Sequence, residues 1–171
     1  MFNFYQLWKT SMEGVQGGEA PLQFRTSCLC GQVQYQLTGK PVACVVCHCT
    51  TCRQHSGAPY LHTAAWHSSN VKRLVKEGVA SNDGLLAHQY TDALVRNVCK
   101  QCGGFAVNVV PAHSLSGFHL GVIEGAYEGN KAKDLFKPQC HLFYGSRVVD
   151  VPDGTPKMRK KAPEDGVMEE L

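Results

Sequence analysis

The 171-residue chain has no apolar run near the roughly 18–20 residues that cross a bilayer, so no membrane-spanning helix is expected. It is also short of charge. Only 18% of its residues are Asp, Glu, Lys or Arg, and 17 basic against 14 acidic side chains leave +3. That surplus is too small for a nucleic-acid-binding stripe, and nucleic acid is not an expected partner. The one basic cluster, Lys157 to Lys161, is followed by Glu164, Asp165, Glu169 and Glu170, the pattern of a solvated tail. Internal repeats and low-complexity blocks are absent. The opening residues lack a basic stretch ahead of an apolar one, and polar residues interrupt Phe2 to Trp8, so a secretory signal is not expected. The expected compartment is a reducing one, the cytoplasm or alternatively the nucleus.

What is present is a globular composition, 43% hydrophobic, in a length that suits one domain. Gly14, Gly17, Gly18 and Pro21 mark residues 1–24 as an N-terminal extension. Gln32 to Leu37 (QVQYQL) alternates strictly between polar and apolar, the period of a half-buried strand. Further strand-like stretches fall at 60–66, 86–91, 104–110, 118–124 and 141–151, separated by Gly, Pro, Asn or Asp. Residues 44–58 are rich in cysteine and poor in other apolar side chains, which predicts a loop or one short helical turn. Only 131–137 (KAKDLFK) has the makings of a short helix. The expectation is a mainly β domain over 25–152 and a flexible tail over 153–171.

Nine cysteines carry the chemical information, and eight fall into three groups. Where no oxidising compartment is expected, clustered cysteines point to metal ligands or catalytic thiols before disulfides, and an odd number leaves one unpaired. Cys28 and Cys30 sit at i and i+2 before the alternating strand; in extended chain they share a face about 6.6 Å apart, a workable bite for one tetrahedral ion. Cys99 and Cys102 have the spacing of a zinc knuckle, and Gly103-Gly104 lets the backbone turn tightly around a metal. Together Cys28, Cys30, Cys99 and Cys102 would form a closed, structural site joining segments roughly 70 residues apart. The middle group supplies Cys47, Cys49 and Cys52, with Cys44 two valines further back. Three protein thiolates leave a fourth position open, as in a catalytic zinc site, whereas a fourth ligand from Cys44 would close it. In extended chain His48 points away from its cysteine neighbours and is not a ligand; it belongs around the metal site or at the surface. Cys140 stands alone beside His141 and reads as a strand residue with a free sulfhydryl rather than an activated thiol.

Four motifs, SCLCGQVQY, CHCTTCRQHSGAPY, VCKQCGG and PQCHLFYGSR with DVPDGTPK behind it, resemble the glutathione-dependent formaldehyde-activating (GFA) family, which includes centromere protein V. The resemblance covers about residues 25–157. It implies a β-tent fold of two small antiparallel sheets, like that of a zinc-binding Rab exchange factor. It also implies two zinc ions per chain: a structural one on Cys28, Cys30, Cys99 and Cys102, and a catalytic one on Cys47, Cys49 and Cys52. Cys44 has no counterpart in the family pattern. Where many members carry a tryptophan shortly after the late arginine, this chain has Val148-Val149 after Arg147.

The expected activity is that of a zinc-dependent carbon–sulfur lyase acting on a thiol adduct, with glutathione and formaldehyde or a related small carbonyl as partners. A proton shuttle would be needed, for which His48, His55 and His62 lie close in sequence; Arg53, directly after the last ligand, could hold a substrate carboxylate. Two alternatives stand beside this one. The same fold could serve elimination, isomerisation or ring chemistry on another small molecule, or act as a non-catalytic zinc module.

Overall fold

The computed structural model describes residues 21–75 and 83–160, and within one helix the side chains of residues 130–132 are left aside. In chain order the elements are β1 (Gln23–Ser27), β2 (Gln34–Thr38), β3 (Ala43–Cys47), α1 (Thr50–Ser56), β4 (Leu61–His67), β5 (Val71–Leu74), β6 (Leu85–Thr91), β7 (Leu94–Cys99), β8 (Phe105–Val110), β9 (Leu115–His119), α2 (Gly129–Leu135) and β10 (Cys140–Leu142). The fold is mainly β, and no described helix is long and apolar enough to cross a membrane.

The described chain divides into two compact units, and β4 begins in one and ends in the other. The larger takes 21–41 and 64–136. There β1, β2 and β5 form a three-stranded antiparallel sheet, while β4-β9-β8-β7-β6 runs as a second layer of strands. The alternation in β2 is real: Tyr35 and Leu37 are buried while Gln34 and Gln36 are half-buried. Trp66 and Phe118 are completely buried with their rings 6.1 Å apart, and Phe24 and Phe136 pack against Trp66. The Trp66 indole also donates to the Gly39 carbonyl at 3.0 Å, which meets the polar requirement of a buried tryptophan.

The smaller unit takes 42–63 and the chain from Lys137 onward. Here β3 lies between β10 and β4, and β10 pairs with β3 in parallel, His141 opposite Val46 and Leu142 opposite Cys47. The sheets are therefore not wholly antiparallel. The expected strand over 141–151 stops at Leu142 because Phe143 takes φ 55°, which turns the backbone out of the strand. The flexible tail was expected from 153, yet Pro156 and Met158 run alongside β10. The His141 N–H donates to the Pro156 carbonyl and the Met158 N–H to the His141 carbonyl, both at 2.8 Å, and Met158 is 1% exposed. Burial of that methionine and the polar contacts of Asp153 and Lys157 hold the segment in place. Most of the N-terminal extension (1–20) and the end of the tail (161–171) lie outside the described residues.

Candidate metal centres

In the larger unit, Cys28 and Cys30 follow β1, while Cys99 closes β7 and Cys102 sits in the turn beyond it. The four Sγ atoms all lie within 4.8 Å of one another. Cys30 Sγ is 3.6 Å from that of Cys28 and 3.8 Å from that of Cys99. A tetrahedral ion with Zn–S bonds near 2.3 Å sets its sulfurs about 3.8 Å apart, so the arrangement fits one thiolate-held ion. The backbone is shaped for it. N–H groups of Val33 and Gly104 point at Cys28 Sγ (3.2 Å) and Cys102 Sγ (3.4 Å), and Gly103 turns the chain at φ 68°. Gly104 is a tight fit: a Cβ there would come within 3.2 Å of Cys102 Sγ and 3.3 Å of the Leu29 nitrogen, so these neighbours would have to give by a few tenths of an ångström.

The protons on these sulfurs make the same point. The Gln32 N–H favours the Cys30 thiolate, but desolvation and hydrogen bonds with the thiols of Cys102, Cys28 and Cys99 push its pKa up to about 11. The N–H groups of Gly104 and Cys30 pull Cys102 down to about 6. Sulfurs this close cannot all ionise unless a cation offsets their repulsion.

The second group lies in the smaller unit. Cys47 ends β3, Cys49 follows in extended conformation, and Cys52 is on α1. Their Sγ atoms also lie within 4.8 Å of one another. The cysteine spacing builds the local structure: Cys49 is the N-cap of α1, its Sγ accepting from the Cys52 N–H at 3.3 Å, and Gly57 at φ 66° closes the other end. The Cys47 thiol is held strongly protonated by its hydrogen bond to Cys52, by burial and by the charge of Cys52. Cys44 is not part of this group. Its separation from Cys47 is odd, so the two-residue period of β3 turns it to the opposite, buried face, and burial raises its pKa to about 12. Cys140 is fully buried on β10, raised to about 11 by desolvation, and joins neither group.

His48 obeys the same period. It lies between Cys47 and Cys49 but on the face of Val46, and β10 brings His141 to that face in register with Val46. The two imidazoles meet, Nε2 of His48 lying 2.8 Å from Nδ1 of His141. His141 Nε2 lies 2.9 Å from Asp153 Oδ2, and Asp153 Oδ1 accepts from Lys157 Nζ at 2.8 Å. Tyr60 and Tyr144 flank the His48 ring at 5.4 and 4.9 Å. Burial, then the charges of His141, Arg147, Arg53 and Lys157, lower the His48 pKa to about 4. Burial works to raise the Asp153 pKa, but hydrogen bonds from Lys157, His141 and Thr155 outweigh it and hold the carboxyl well below the usual range.

A family model described as glutathione-dependent formaldehyde-activating enzyme matches residues 23–146. The chain belongs to the GFA family. The solved crystal structure of a Rhodobacter sphaeroides protein aligns with 67% of this chain and 96% of that one, at 20% identity and a TM-score of 0.45. Among curated proteins no match is found.

The seven cysteines that both spacing and family resemblance point to are brought into two groups, and each group could hold a metal ion. The histidines and the arginine scatter more. His48 is fully buried rather than at the surface. Arg53, on α1, donates from Nε to the His48 carbonyl at 3.2 Å and from its terminal nitrogen to Thr50 Oγ1 at 3.4 Å, which ties it to the start of its own helix. His55 is half-buried on α1 and His62 half-buried on β4; neither belongs to the His48–His141 pair. Sequence reasoning missed His141, Asp153 and Lys157. The signal was available in the spacing: an odd offset from the neighbouring cysteine sends both His48 and His141 to the face opposite that cysteine.

Proposed function

We propose that this GFA-family chain is a zinc-dependent enzyme of the carbon–sulfur lyase type that joins a small thiol, glutathione foremost, to formaldehyde or a related small carbonyl and runs the reverse cleavage. The observation that carries the proposal is the three-sulfur group of Cys47, Cys49 and Cys52, with Cys44 turned to the other face of β3. Three protein donors leave one coordination position for a substrate, whereas the four-sulfur group is complete in itself. Soft thiolate donors favour zinc among the common divalent ions of a cell.

Cys47, Cys49 and Cys52 would hold the zinc ion, which when bound would lower the pKa of an incoming thiol. In the addition, the thiol sulfur forms a bond to the carbonyl carbon, the carbon–oxygen π pair moves to oxygen, and the thiol proton ends on that oxygen, giving a hydroxymethyl thioether. Cleavage returns the proton and both molecules. The protein has to hold that proton in transit, and His48 is the nearest buried imidazole in sequence to the cysteine group, with His55 on the adjoining helix. The Arg53 guanidinium is positive and half-exposed on α1, suited to a carboxylate of the thiol substrate. Tyr60, 38% exposed beside His48, gives an apolar wall near the same place.

A second reading, elimination or isomerisation on a different small molecule, is favoured by the exposed Val148 and Val149 where many family members place a tryptophan. The test is loss of free formaldehyde in the presence of metal-loaded protein and glutathione. Loss that depends on both, above the uncatalysed rate, and that disappears in Cys49→Ser supports the first reading. No glutathione-dependent loss with fully metallated protein moves the assignment to the second.

A further inference from the structure

Among the described residues, three of the four sheet edges are covered or charged, and one is neither. Beyond β1, the Glu124 N–H donates to the Arg25 carbonyl at 2.9 Å and Ile123 bridges Thr26. Beyond β10 run Pro156 and Met158, bonded to His141. β5 is four residues long and carries Lys72 and Arg73, charges that repel a like strand. β6 ends the larger sheet with seven residues, LLAHQYT, without Asp, Glu, Lys, Arg or Pro. All but Leu85 are exposed, Leu86 at 46% and Tyr90 at 50%, and β7 is the strand that pairs with it. Two bonds fix which way its backbone faces. The Lys100 N–H donates to the Gly84 carbonyl at 2.8 Å, and the Cys99 N–H to the Gly104 carbonyl at 2.9 Å. Strand alternation then turns the N–H and C=O groups of Leu86 and His88 towards β7, and those of Leu85, Ala87 and Gln89 outward. The ladder with β7 slips only between Gln89 and Thr91. Leu86 and His88 share one face, and Tyr90 keeps to it, its ring 6.2 Å from the His88 imidazole and 5.5 Å from the Arg96 guanidinium.

We propose that β6 is the contact between two copies of this chain, paired antiparallel about a twofold axis at His88. The register is self-complementary. Ala87 exchanges N–H···O bonds with Gln89 of the second copy, Leu86 stands against Tyr90 of the second copy, and each pairing occurs twice. His88 meets its own equivalent on the axis, and β6 brings no carboxylate or ammonium group into the contact. The pairing stops at two, because it uses the outer edge of β6 in both copies while β1 and β10 are already covered. An edge of seven residues is about 24 Å long and buries less than the roughly 1,200 Å² of a standard interface, so the dimer should be weak, with a Kd on the order of 10 µM. The contact does not depend on the thiol–carbonyl reading.

Sedimentation velocity of the full-length protein between about 1 and 300 µM should show monomer passing to dimer. A monomer throughout overturns the proposal and leaves the edge to a strand of another protein. Amide hydrogen exchange followed by NMR tests the surface without any substitution. The N–H groups of Ala87 and Gln89 should exchange about fivefold more slowly at the high concentration, while those of Leu86 and His88, bonded to β7, change little. A dimer that leaves Ala87 and Gln89 unprotected uses another surface and overturns it. His88→Lys sets two ammonium groups on the axis beside Arg96, which lies opposite His88 on β7, and should raise Kd about tenfold. His88→Glu should raise it less, because Arg96 offsets the new charge, and an equimolar mixture of the two variants should dimerise more tightly than His88→Lys alone. A mixture that does not, or a Kd for His88→Lys within about twofold of the unaltered protein, overturns the proposed register. If either variant fails to fold, the exchange pattern of the unaltered protein decides alone.

Discussion

Removing one sulfur from the four-cysteine group should cost stability out of proportion to the atoms lost. Cys30 is the informative position because its side chain is exposed, so Cys30→Ser leaves no cavity. Its partner Cys99 lies 69 residues away in sequence, and a metal bridging them closes that loop. Treated as a cross-link, a loop of this length removes about 15 cal/mol/K of chain entropy from the unfolded state, or about 4 kcal/mol at 25 °C. For a chain of this size that corresponds to a fall in Tm of roughly 10 °C. Circular dichroism melts with parallel metal analysis provide the assay. Cys30→Ser should melt about 10 °C lower, and a strong chelator should bring the unaltered protein down to the same value while moving the variant far less. A variant within 2 °C of the unaltered protein, or one that loses as much again on chelation, would refute the cross-link reasoning.

Gly104→Ala should loosen the same group, since its Cβ would press on Cys102 Sγ and the Leu29 nitrogen; metal loss to a competing chelator should be faster than in the unaltered protein, with Gly121→Ala, where nothing lies within 4 Å, as the neutral control. Trp66→Ala removes a fully buried ring and the bond to the Gly39 carbonyl, and should cost about 3–5 kcal/mol in denaturant unfolding. Because Asp153 is held well below the usual carboxylate range, its contribution is present above the unfolded-state pKa of about 3.9 and is lost as pH falls through the folded one. The Tm gap between the unaltered protein and Asp153→Asn should therefore be wider at pH 7 than at pH 3, and a gap that widens towards acid would contradict the assignment.

The parts legible from sequence were those where one local rule decided the outcome. Strict alternation gave β2, and cysteine spacing together with the Gly-Gly turn pointed to both sulfur groups. Other parts depended on the rest of the fold. β3 (ACVVC) alternates between half-buried and buried positions but carries no polar side chain on either face, so composition suggested a loop. β7 carries Arg96 and Asn97 in mid-strand, yet Arg96 is 1% exposed, its guanidinium 5.5 Å from the Tyr90 ring. The expected strand over 118–124 is displaced to β9, with a single 3₁₀ turn at Leu120–Val122 where alternation breaks. α1 runs two turns rather than one because Cys49 caps it through sulfur, a role no helix propensity records. The His48–His141–Asp153 array was invisible for the same reason: it joins residues 93 and 12 positions apart through the parallel pairing of β3 and β10.

The central claim is that the two sulfur groups are two metal sites of different kinds, and metal content per chain measured by elemental analysis on protein purified without chelator tests it most directly. The account predicts two zinc ions per chain, falling to one when Cys47, Cys49 and Cys52 are all replaced by serine. One zinc in both proteins would contradict it, leaving the three-sulfur group without a resident metal and the open-site chemistry without its foundation.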